Sequence, residues 1–427
     1  MTVVARFAWM FSVVAILAFG QAAGASEPVT LSVWINTSYW ESPSLRYPEF
    51  VKWFEENNPD IMLDINFYSG DENEGFLILA AAGVPMDVFN MGGHPDRALA
   101  SSFLDLRPFM ERDPLTPREW FHPVILREIE ERDPRRWPYT FTLRLYMLNE
   151  NHFTESGVPV PSLNAQTTWT TEEFASAIAA LTRLNADGSV ARYGFSMAAI
   201  QDRFRMWLRS FGGDLFDPVT QRIALDTEPA AEALNYLRNL IDRQYMRIGG
   251  ANASALINGE TAVYIGPDSN VELLEPSMAY EYAIAPQPRG QGGTAVRVGA
   301  HTYRIVATSA HPQEAWRYVR DRQLFQLGYL DLDNLPPRQN LMDFIVGKGL
   351  SIEPAMRQLM EEWVGDPQTA VLTEGELEGF HLWSGSVPEG PNVVRAFERY
   401  LLSEISYAAL LEEARRANVL IDDLLGR

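Results

Sequence analysis

The sequence contains no cysteine. That absence excludes disulfide bonds, thiolate nucleophiles, cysteine-ligated zinc, iron–sulfur clusters and an N-terminal lipid anchor on a cysteine. Basic residues are also scarce, because 35 Lys+Arg stand against 56 Asp+Glu and the formal net charge is −21. Nucleic acids and anionic membrane surfaces attract positively charged proteins, so neither is an expected partner. The 427 residues, 46% of them hydrophobic, predict a folded protein of two or three lobes.

Apolar runs of membrane-spanning length are missing, and the one candidate lies at the N-terminus. Arg6 precedes a run from Phe7 to Phe19 that only Ser12 interrupts, and Ala23-Gly24-Ala25 then supplies small residues where a signal peptidase reads them. This pattern predicts a signal peptide over residues 1–25, removed by cleavage after Ala25. An uncleaved anchor is the alternative, although the run is shorter than the ~20 residues of a membrane span. An exported chain without disulfides or a lipid anchor is expected in a bacterial periplasm.

Motifs of catalysis and cofactor binding are absent too. The chain has no GxSxG, HExxH, Walker A or GxGxxG motif, and its six histidines show no i, i+4 pair of the kind that binds zinc on a helix. The acidic run 71–75 lacks the later glycine and acid of a calcium loop and predicts a helix cap. The glycines at 290, 292 and 293 precede a strand, which favours a hairpin loop over a phosphate site. We therefore expect no metal, no cofactor and no catalytic residues.

Strands and helices alternate along the chain. Residues 31–35 alternate apolar and polar side chains, residues 45–58 have the pattern of a helix, and residues 61–68 alternate again. Strand, helix and strand within 40 residues predict a βαβ unit and hence a parallel sheet. Thr170 to Glu173 form a capping box for a later helix. Other predicted elements are a short helix at 76–82, strands at 86–89, 282–285 and 303–307, and helices from 227, over 312–324 and throughout 393–425.

Aromatic residues are plentiful, with 11 Trp, 16 Tyr and 22 Phe, and several lie in predicted loops beside polar residues. Open α/β sheets bind ligands outside the carboxyl ends of their strands. An aromatic ring there can cover the C–H face of a sugar, while Asn, Asp, His and Arg side chains bond its hydroxyls. For any single aromatic, packing in the core is the alternative. The pattern as a whole indicates a carbohydrate site.

A series of short segments extends over nearly all of the mature chain. They are Thr30–Trp34, Phe54–Ile61, Ala80–Val88, Phe103–Leu106, Phe153–Pro159, Thr168–Trp169, Phe211–Asp217, Ile257–Ala262 with Gly266, Ala285–Pro288 and the helix from Pro312. Each segment by itself consists of residues common in turns and helix caps. The order and spacing of the segments, however, resemble those of extracellular solute-binding proteins, the receptors of ABC importers. The resemblance is to the sugar-binding branch (family 1), which includes maltose-, trehalose- and glycerol-3-phosphate-binding proteins.

The resemblance implies an α/β, two-lobed periplasmic-binding-protein fold with a hinge and an interlobe cleft. Lobe 1 would comprise residues 26–140 plus 288–332, and the helix-rich lobe 2 residues 141–287 plus 333–427, with crossing segments near 140, 287 and 332. The implied function is binding without catalysis. The protein would hold a carbohydrate or polyol, free or phosphorylated, and deliver it as a monomer to the membrane subunits of an ABC permease. A periplasmic carbohydrate-active enzyme with an Asp/Glu pair and a ligand-sensing receptor partner are the alternatives.

Positions that match the family's cleft are the candidate ligand-binding residues. They are Asn36, Tyr39, Trp40, Tyr68, Ser69, His94, Tyr139, Phe141, Trp207, Asp268, Ser269, Gly299, His301, Tyr303, Arg338 and Trp383. A core position is the alternative for His301, and a surface salt bridge for Arg338. Should Arg144, Arg205 and Arg338 converge, an anionic ligand is expected, because guanidinium groups pair well with phosphate and carboxylate.

Overall fold

The computed structural model describes residues 27–42, 45–92, 97–116, 126, 130, 133–249, 253–268, 270–277, 281–328, 330, 353–365, 369–372 and 390–427. The predicted signal peptide lies outside the described residues. So do four candidate ligand-binding residues, His94, Ser269, Arg338 and Trp383, and the side chain of Phe141.

The strands are β1 (Val29–Asn36), β2 (Ile61–Tyr68), β3 (Val88–Asn90), β4 (Trp137–Asn149), β5 (Arg183–Leu184), β6 (Val190–Met197), β7 (Phe216–Asp217), β8 (Arg222–Ile223), β9 (Met246–Ile248), β10 (Thr261–Pro267), β11 (Tyr282–Ala285), β12 (Thr294–Ile305) and β13 (Thr369–Leu372). The helices are α1 (Thr37–Trp40), α2 (Tyr47–Asn57), α3 (Glu72–Ala81), α4 (Arg107–Met110), α5 (Glu150–Ser156), α6 (Thr171–Leu181), α7 (Gln201–Ser210), α8 (Glu228–Asp242), α9 (Ala253–Ile257), α10 (Asn270–Ser277), α11 (Pro312–Gln326), α12 (Glu353–Gly365), α13 (Val393–Leu401) and α14 (Tyr407–Leu425), with a 3-10 helix over Arg97–Ser102.

The predicted βαβ unit and both predicted caps are confirmed. Strands β1 and β2 pair in parallel from Val29↔Ile61 onward, with α2 between them in sequence. Asp71 caps α3 by accepting hydrogen bonds from the backbone N–H groups of residues 73 and 74. The capping box of α6 forms in both directions between Thr170 and Glu173.

The C-terminal helix is not continuous, and the prediction of one helix over 393–425 is wrong. Helix α13 ends before Ser403, whose φ of 62° is left-handed and incompatible with a continuing helix. Helix α14 then begins behind Ser406, whose Oγ accepts a hydrogen bond from the N–H of Ala409. A serine cap is a stronger local signal than apolar periodicity, because it satisfies an N–H that a new helix leaves without a partner.

Among the described residues, eleven strands join in one sheet whose main order is β2-β1-β3-β12-β4-β10-β6-β5. Strands β1, β2 and β3 run parallel, and so do β6, β9 and β10. The two parallel groups are joined by β12 and β4, which are antiparallel to each other.

Both joining strands change partners at the same place, which we call the crossing. β12 pairs with β13 up to Arg297 and with β4 from Val298 onward. β4 pairs with β12 up to Leu143 and with β10 from Arg144 onward. The crossing therefore lies between residues 143 and 144 of β4 and between residues 297 and 298 of β12.

The buried hydrophobic residues divide at the crossing into two lobes. In the first lobe, β1, β2, β3 and the ends of β4 and β12 farther from the crossing pack against α2, α3 and α11. In the second lobe, the C-terminal part of β4, β6, β10 and the start of β12 pack against α6, α7, α8, α12, α13 and α14. Val298 contacts buried clusters of both lobes.

The second crossing segment lies later in the chain than predicted. Residues 288–296 belong to the second lobe, because Pro288 accepts a hydrogen bond from Ser210, and Ala295 is part of the second lobe's core. The loop of Gly290 and Gly293 closes on itself as a hairpin turn next to α7, as the glycine cluster predicts. Within the described part of the chain, no helix has the combined length and apolarity that a membrane span requires.

Candidate functional site

The loops that follow β1 and β3 meet at one carboxylate of the first lobe. The Tyr39 hydroxyl donates to Glu72 Oε1 at 3.0 Å, and the backbone N–H of Gly92 donates to the same oxygen at 3.0 Å. Asn36 caps α1, since its Oδ1 accepts from the N–H of Ser38, and so fixes the start of the loop that carries Tyr39. Burial, and after it the charge of Glu72, raise the pKa of Tyr39 well above its ordinary value, so the hydroxyl keeps its proton.

His301 of β12 connects these loops to the crossing. Its ring meets the Tyr39 ring edge-on, with centroids 4.6 Å apart, and lies 6.1 Å from the Tyr139 ring. Burial, and after it the charges of Arg297 and Arg144, lower the pKa of His301 to about 3. The imidazole is therefore neutral near pH 7 and can both donate and accept a hydrogen bond.

Three arginines of the crossing surround a single carboxylate of α7. Arg144 Nε donates to Asp202 Oδ2 at 2.7 Å, Arg203 Nη1 to Asp202 Oδ1 at 2.7 Å, and Arg297 Nε lies 3.7 Å from Oδ2. We call Arg144, Arg203 and Arg297 the arginine cluster. All three side chains are at most 15% exposed, so their charges are screened only weakly by water.

The ionisation of this group follows from its charges. Burial alone would raise the pKa of Asp202, but Arg144 and the rest of the arginine cluster outweigh burial and hold that pKa far below its usual range. Burial, with the like charge of Arg144, lowers the pKa of Arg297 to about 9. At neutral pH Asp202 is therefore an anion and the Arg297 guanidinium is charged.

Strand alternation brings the members of the site onto one face of the sheet. Arg297, Gly299 and His301 are separated by two residues each, so their side chains share a face of β12. Gly299 is opposite Thr142 of β4, whose Oγ1 accepts a hydrogen bond from Arg297 Nη1 at 3.0 Å. A Cβ on Gly299 would lie 2.0 Å from that Nη1, so a side chain at residue 299 would displace the Arg297 guanidinium from this position.

The second lobe closes the other side of the site. Arg144 is opposite Pro267 of β10, and the N–H of the next residue, Asp268, donates to the carbonyl of Leu143 at 3.0 Å. Asp268 is fully buried, and its charge acts on Arg297. The crossing thus holds charged groups from β4, β12, α7 and the turn after β10.

Several predicted residues come together around the crossing. Tyr39 and His301 are in contact, Gly299 accommodates Arg297, and Asp268 follows the strand next to Arg144. Asn36 positions the loop of Tyr39.

Two further predicted aromatic residues pack within the first lobe. Tyr68 is near Glu72, since burial, and after it the charge of Glu72, raise the pKa of Tyr68. The Tyr68 hydroxyl donates to the carbonyl of Asn90, and its ring stacks on Phe89 at 4.6 Å. Trp40 packs edge-on against Phe67 at 5.1 Å, and Ser69 is exposed.

Three predicted residues are enclosed in the cores and need correction. Tyr139 and Tyr303 are at most 1% exposed, and both hydroxyls bond to the hydroxyl of Tyr47, at 2.9 and 2.7 Å. Trp207 is fully buried in the second lobe, with its ring 5.5 Å from that of Phe174. Neighbouring core side chains cover all three residues. We therefore assign them a role in stabilising the cores and not in contacting the ligand.

Of the three arginines whose convergence would indicate an anionic ligand, Arg338 lies outside the described residues. Arg205 does not join Arg144, because its Nε and Nη2 donate to the two carboxylate oxygens of Asp214 at 2.7 and 3.0 Å. Arg203 and Arg297 join Arg144 in its place. Sequence reasoning missed Asp202, Arg203 and Arg297. The spacing of two between Arg297, Gly299 and His301 is the signal that could have revealed one of them.

Comparison with known proteins supports the fold. Residues 40–320 match the family model described as bacterial extracellular solute-binding protein. No curated protein sequence matches the chain significantly. Similar solved structures include the ABC substrate-binding protein Lmo0181 from Listeria monocytogenes in complex with cycloalternan, with a TM-score of 0.71, 16% identity and coverage of 93% of this chain and 99% of that one.

Two further structures show the same architecture. Maltose-bound MalE3 of T. maritima has a TM-score of 0.69 at 18% identity and covers 93% of this chain and 100% of its own. The GacH receptor of Streptomyces glaucescens, studied unliganded and with acarbose, has a TM-score of 0.67 at 17% identity over 93% and 99%. At such identities the likeness establishes a shared two-lobed fold. Because the matched segment spans most of the chain and includes strands from each lobe, the chain belongs to the bacterial extracellular solute-binding protein family.

Proposed function

We propose that this protein is the periplasmic binding component of an ABC importer, and that it holds a carbohydrate or polyol at the crossing without altering it. The observation that carries the proposal is the contact between lobes at that place. His301, which contacts Tyr39 in the first lobe, is close enough to Arg297 for that charge to act on it. Arg297 in turn bonds Thr142 and faces Asp202 of the second lobe. A solute placed there would touch both lobes.

The energetics suit capture by closure. A micromolar ligand supplies ~8 kcal/mol of binding free energy. Moving a hinge from 1:99 to 99:1 requires ~5.5 kcal/mol of difference in affinity between the two states. Only contacts that form on closure contribute to that difference. Because β4 and β12 are continuous through the crossing, they supply the flexible connection.

The site also supplies the chemistry for sugar recognition. The Tyr39 ring can cover a C–H face, while the carboxylate of Glu72 and the neutral imidazole of His301 can bond hydroxyls. The fold class and family are those of binding proteins, and no observation on the described residues favours a glycosidase. Asp202 is held ionised by arginines and cannot act as a general acid.

Calorimetry on protein from which any retained solute has been removed by unfolding and refolding tests the proposal. We expect at least one member of a panel of sugars, polyols and their acidic derivatives to bind with a Kd near micromolar. Tyr39→Ala should weaken that binding by at least tenfold, while Tyr193→Ala, a change in β6 far from the crossing, should leave it within twofold. Failure of the whole panel to bind would refute carbohydrate capture, and turnover of any bound sugar would refute the absence of catalysis.

Delivery and location form the rest of the proposal. We infer that residues 1–25 direct export and are removed, and that the mature protein is a monomer in the periplasm, without a lipid anchor because it has no cysteine. Loaded protein should stimulate ATP hydrolysis by its permease in proteoliposomes. A receptor that binds sugar but engages only a membrane sensor would fail this assay.

A further inference from the structure

The arginine cluster is an unusual feature of a site for a neutral sugar. Three guanidinium groups share the two oxygens of the Asp202 carboxylate at the crossing. A buried charge is costly unless a group of opposite charge pairs with it, and one carboxylate cannot neutralise three guanidinium groups. Asp268 is the other described carboxylate that acts on the group. Among the described residues, three positive charges therefore stand against two negative ones, and the neutral His301 adds none.

The cluster also has unused hydrogen-bonding capacity. The side chain of Arg203 is only 4% exposed, yet its Nε has no hydrogen-bond partner among the described residues. Arg144 donates to a described residue through Nε alone, which leaves its two terminal nitrogens available. Guanidinium groups bind planar or tetrahedral oxyanions through such pairs of N–H groups.

The position of the cluster fits one end of a solute bound across the crossing. Arg144 and Arg203 act on the Tyr264 hydroxyl of β10, to which Asn270 Nδ2 also donates at 3.2 Å. In the first lobe, the Glu72 carboxylate accepts a hydrogen bond from Tyr39, whose ring contacts His301. An anionic group is favoured beside the arginines, and hydroxyls are favoured beside Glu72, so the charges orient the solute.

We propose that the solute is an anionic sugar, with a carboxylate or a phosphate group held by the arginine cluster. This inference rests on the proposed function and specifies the class of solute. In the unliganded protein Asp202 partly compensates the three guanidiniums, and the anionic group of the solute completes that compensation. A neutral sugar of the same shape leaves one positive charge and the Arg203 Nε without a partner.

Matched sugars test the inference. Calorimetry would compare glucose, galactose and mannose, each as the neutral sugar, the 6-carboxylate and the 6-phosphate, together with their disaccharides. We expect an anionic member to bind at least tenfold more tightly than its neutral counterpart, and the carboxylate and phosphate arms identify which group is preferred. A neutral member that binds as tightly as its anionic counterparts would overturn this inference and leave the proposed function standing. Binding of no member would remove both.

Substitutions inside and outside the arginine cluster test whether the cluster causes the preference for anionic sugars. Arg144→Gln should weaken binding of the anionic sugar by at least tenfold and by more than it weakens binding of the neutral sugar, whereas Arg415→Gln on the exposed face of α14 should change neither. Equal losses for both sugars in Arg144→Gln would contradict the role assigned to the cluster.

A second variant keeps the test independent of the sugar. Asp202→Asn removes the carboxylate that compensates the arginine cluster, so the melting temperature of this variant should fall. Millimolar inorganic phosphate should then raise the melting temperature of Asp202→Asn by more than it raises that of Arg415→Gln. Equal effects of phosphate on both variants would show that the cluster does not bind anions.

Discussion

The side chain of Arg297 passes over the Cα of Gly299 on its way to Thr142 and Asp202. Its conformation therefore depends on the absence of a side chain two residues later. Gly299→Ala would place a methyl group where the guanidinium lies, and Arg297 would have to give up its bond to Thr142. We expect a loss of ~1–3 kcal/mol in the free energy of unfolding, typical of an overpacked site.

A double-mutant cycle isolates this contact. In an Arg297→Ala background the obstructing guanidinium is gone, so Gly299→Ala should cost much less there than in the wild type when both are measured by urea unfolding. An equal cost in the two backgrounds would mean that the glycine serves the backbone and not the arginine.

A pH dependence follows from His301. Its pKa is lowered to about 3 in the folded protein, whereas an unfolded histidine titrates near ~6.5. The unfolded state therefore binds a proton that the folded state does not, and stability falls as the pH drops from ~6.5 toward 3. His301→Gln should flatten the fall of unfolding free energy between pH 6.5 and 4.5, as measured by urea titrations. Parallel curves for the variant and the wild type would show that His301 is not responsible.

At the scale of elements, one glycine sets the distance between β6 and α6. A Cβ on Gly194 would lie 2.1 Å from the carbonyl oxygen of Ile178, which is backbone and cannot rotate away. Thr182 strengthens this contact, because its hydroxyl donates to that carbonyl at 2.8 Å and accepts from the N–H of Gly194 at 3.1 Å. Gly194→Ala should therefore cost ~3 kcal/mol or more.

The neighbouring Ser196→Ala provides the control for this variant. Ser196 is as buried in the same strand, but its hydroxyl has no hydrogen-bond partner among the described residues. Its removal should change stability by less than ~0.5 kcal/mol. Comparable urea midpoints for the two variants would contradict the close contact of β6 with α6.

The elements differ in how well the sequence predicts them. β1, α2 and β2 carry regular apolar periods because each buries one face, and the sequence predicts them within two residues or so. β12 is predicted over 303–307 but extends over Thr294–Ile305, since residues 297–301 mix arginine, glycine and histidine. Those residues face the crossing, where polar groups are buried by the partner lobe, and local periodicity does not reflect such burial.

The same limit explains which residues of the candidate site the sequence predicts and which it misses. The sequence and its resemblance supply Tyr39, which follows β1, and Gly299 and His301, which match cleft positions of the family. They do not supply Asp202 and Arg203, because a charged pair at the start of a helix is common on surfaces. Only the packing of α7 against β12 and β4 shows that this pair is buried.

On the scale of the whole molecule, the protein combines a strongly negative net charge with a buried arginine cluster at the crossing. The net charge of −21 would repel an anionic solute at long range, but the Debye length is only ~8 Å at physiological salt. Added salt should therefore weaken the long-range repulsion more than the attraction at the buried arginine cluster, which salt screens only weakly. Association rates for the anionic sugar should rise between 10 and 150 mM salt, as stopped-flow fluorescence can measure. A steep fall over this range would indicate that the surface around the entrance is positive.

Closure itself can be measured because the chain has no native cysteine to compete with introduced ones. Glu56 in the first lobe and Glu412 in the second are exposed, so cysteines at both positions can carry a donor and an acceptor dye. Saturating solute should change the transfer efficiency, because β4 and β12 permit the lobes to move while each core stays packed. A pair within the second lobe, at Leu184 and Glu412, should report no change. A bound solute that alters neither pair would mean that the two lobes form one rigid body and that recognition by a permease rests on something other than closure.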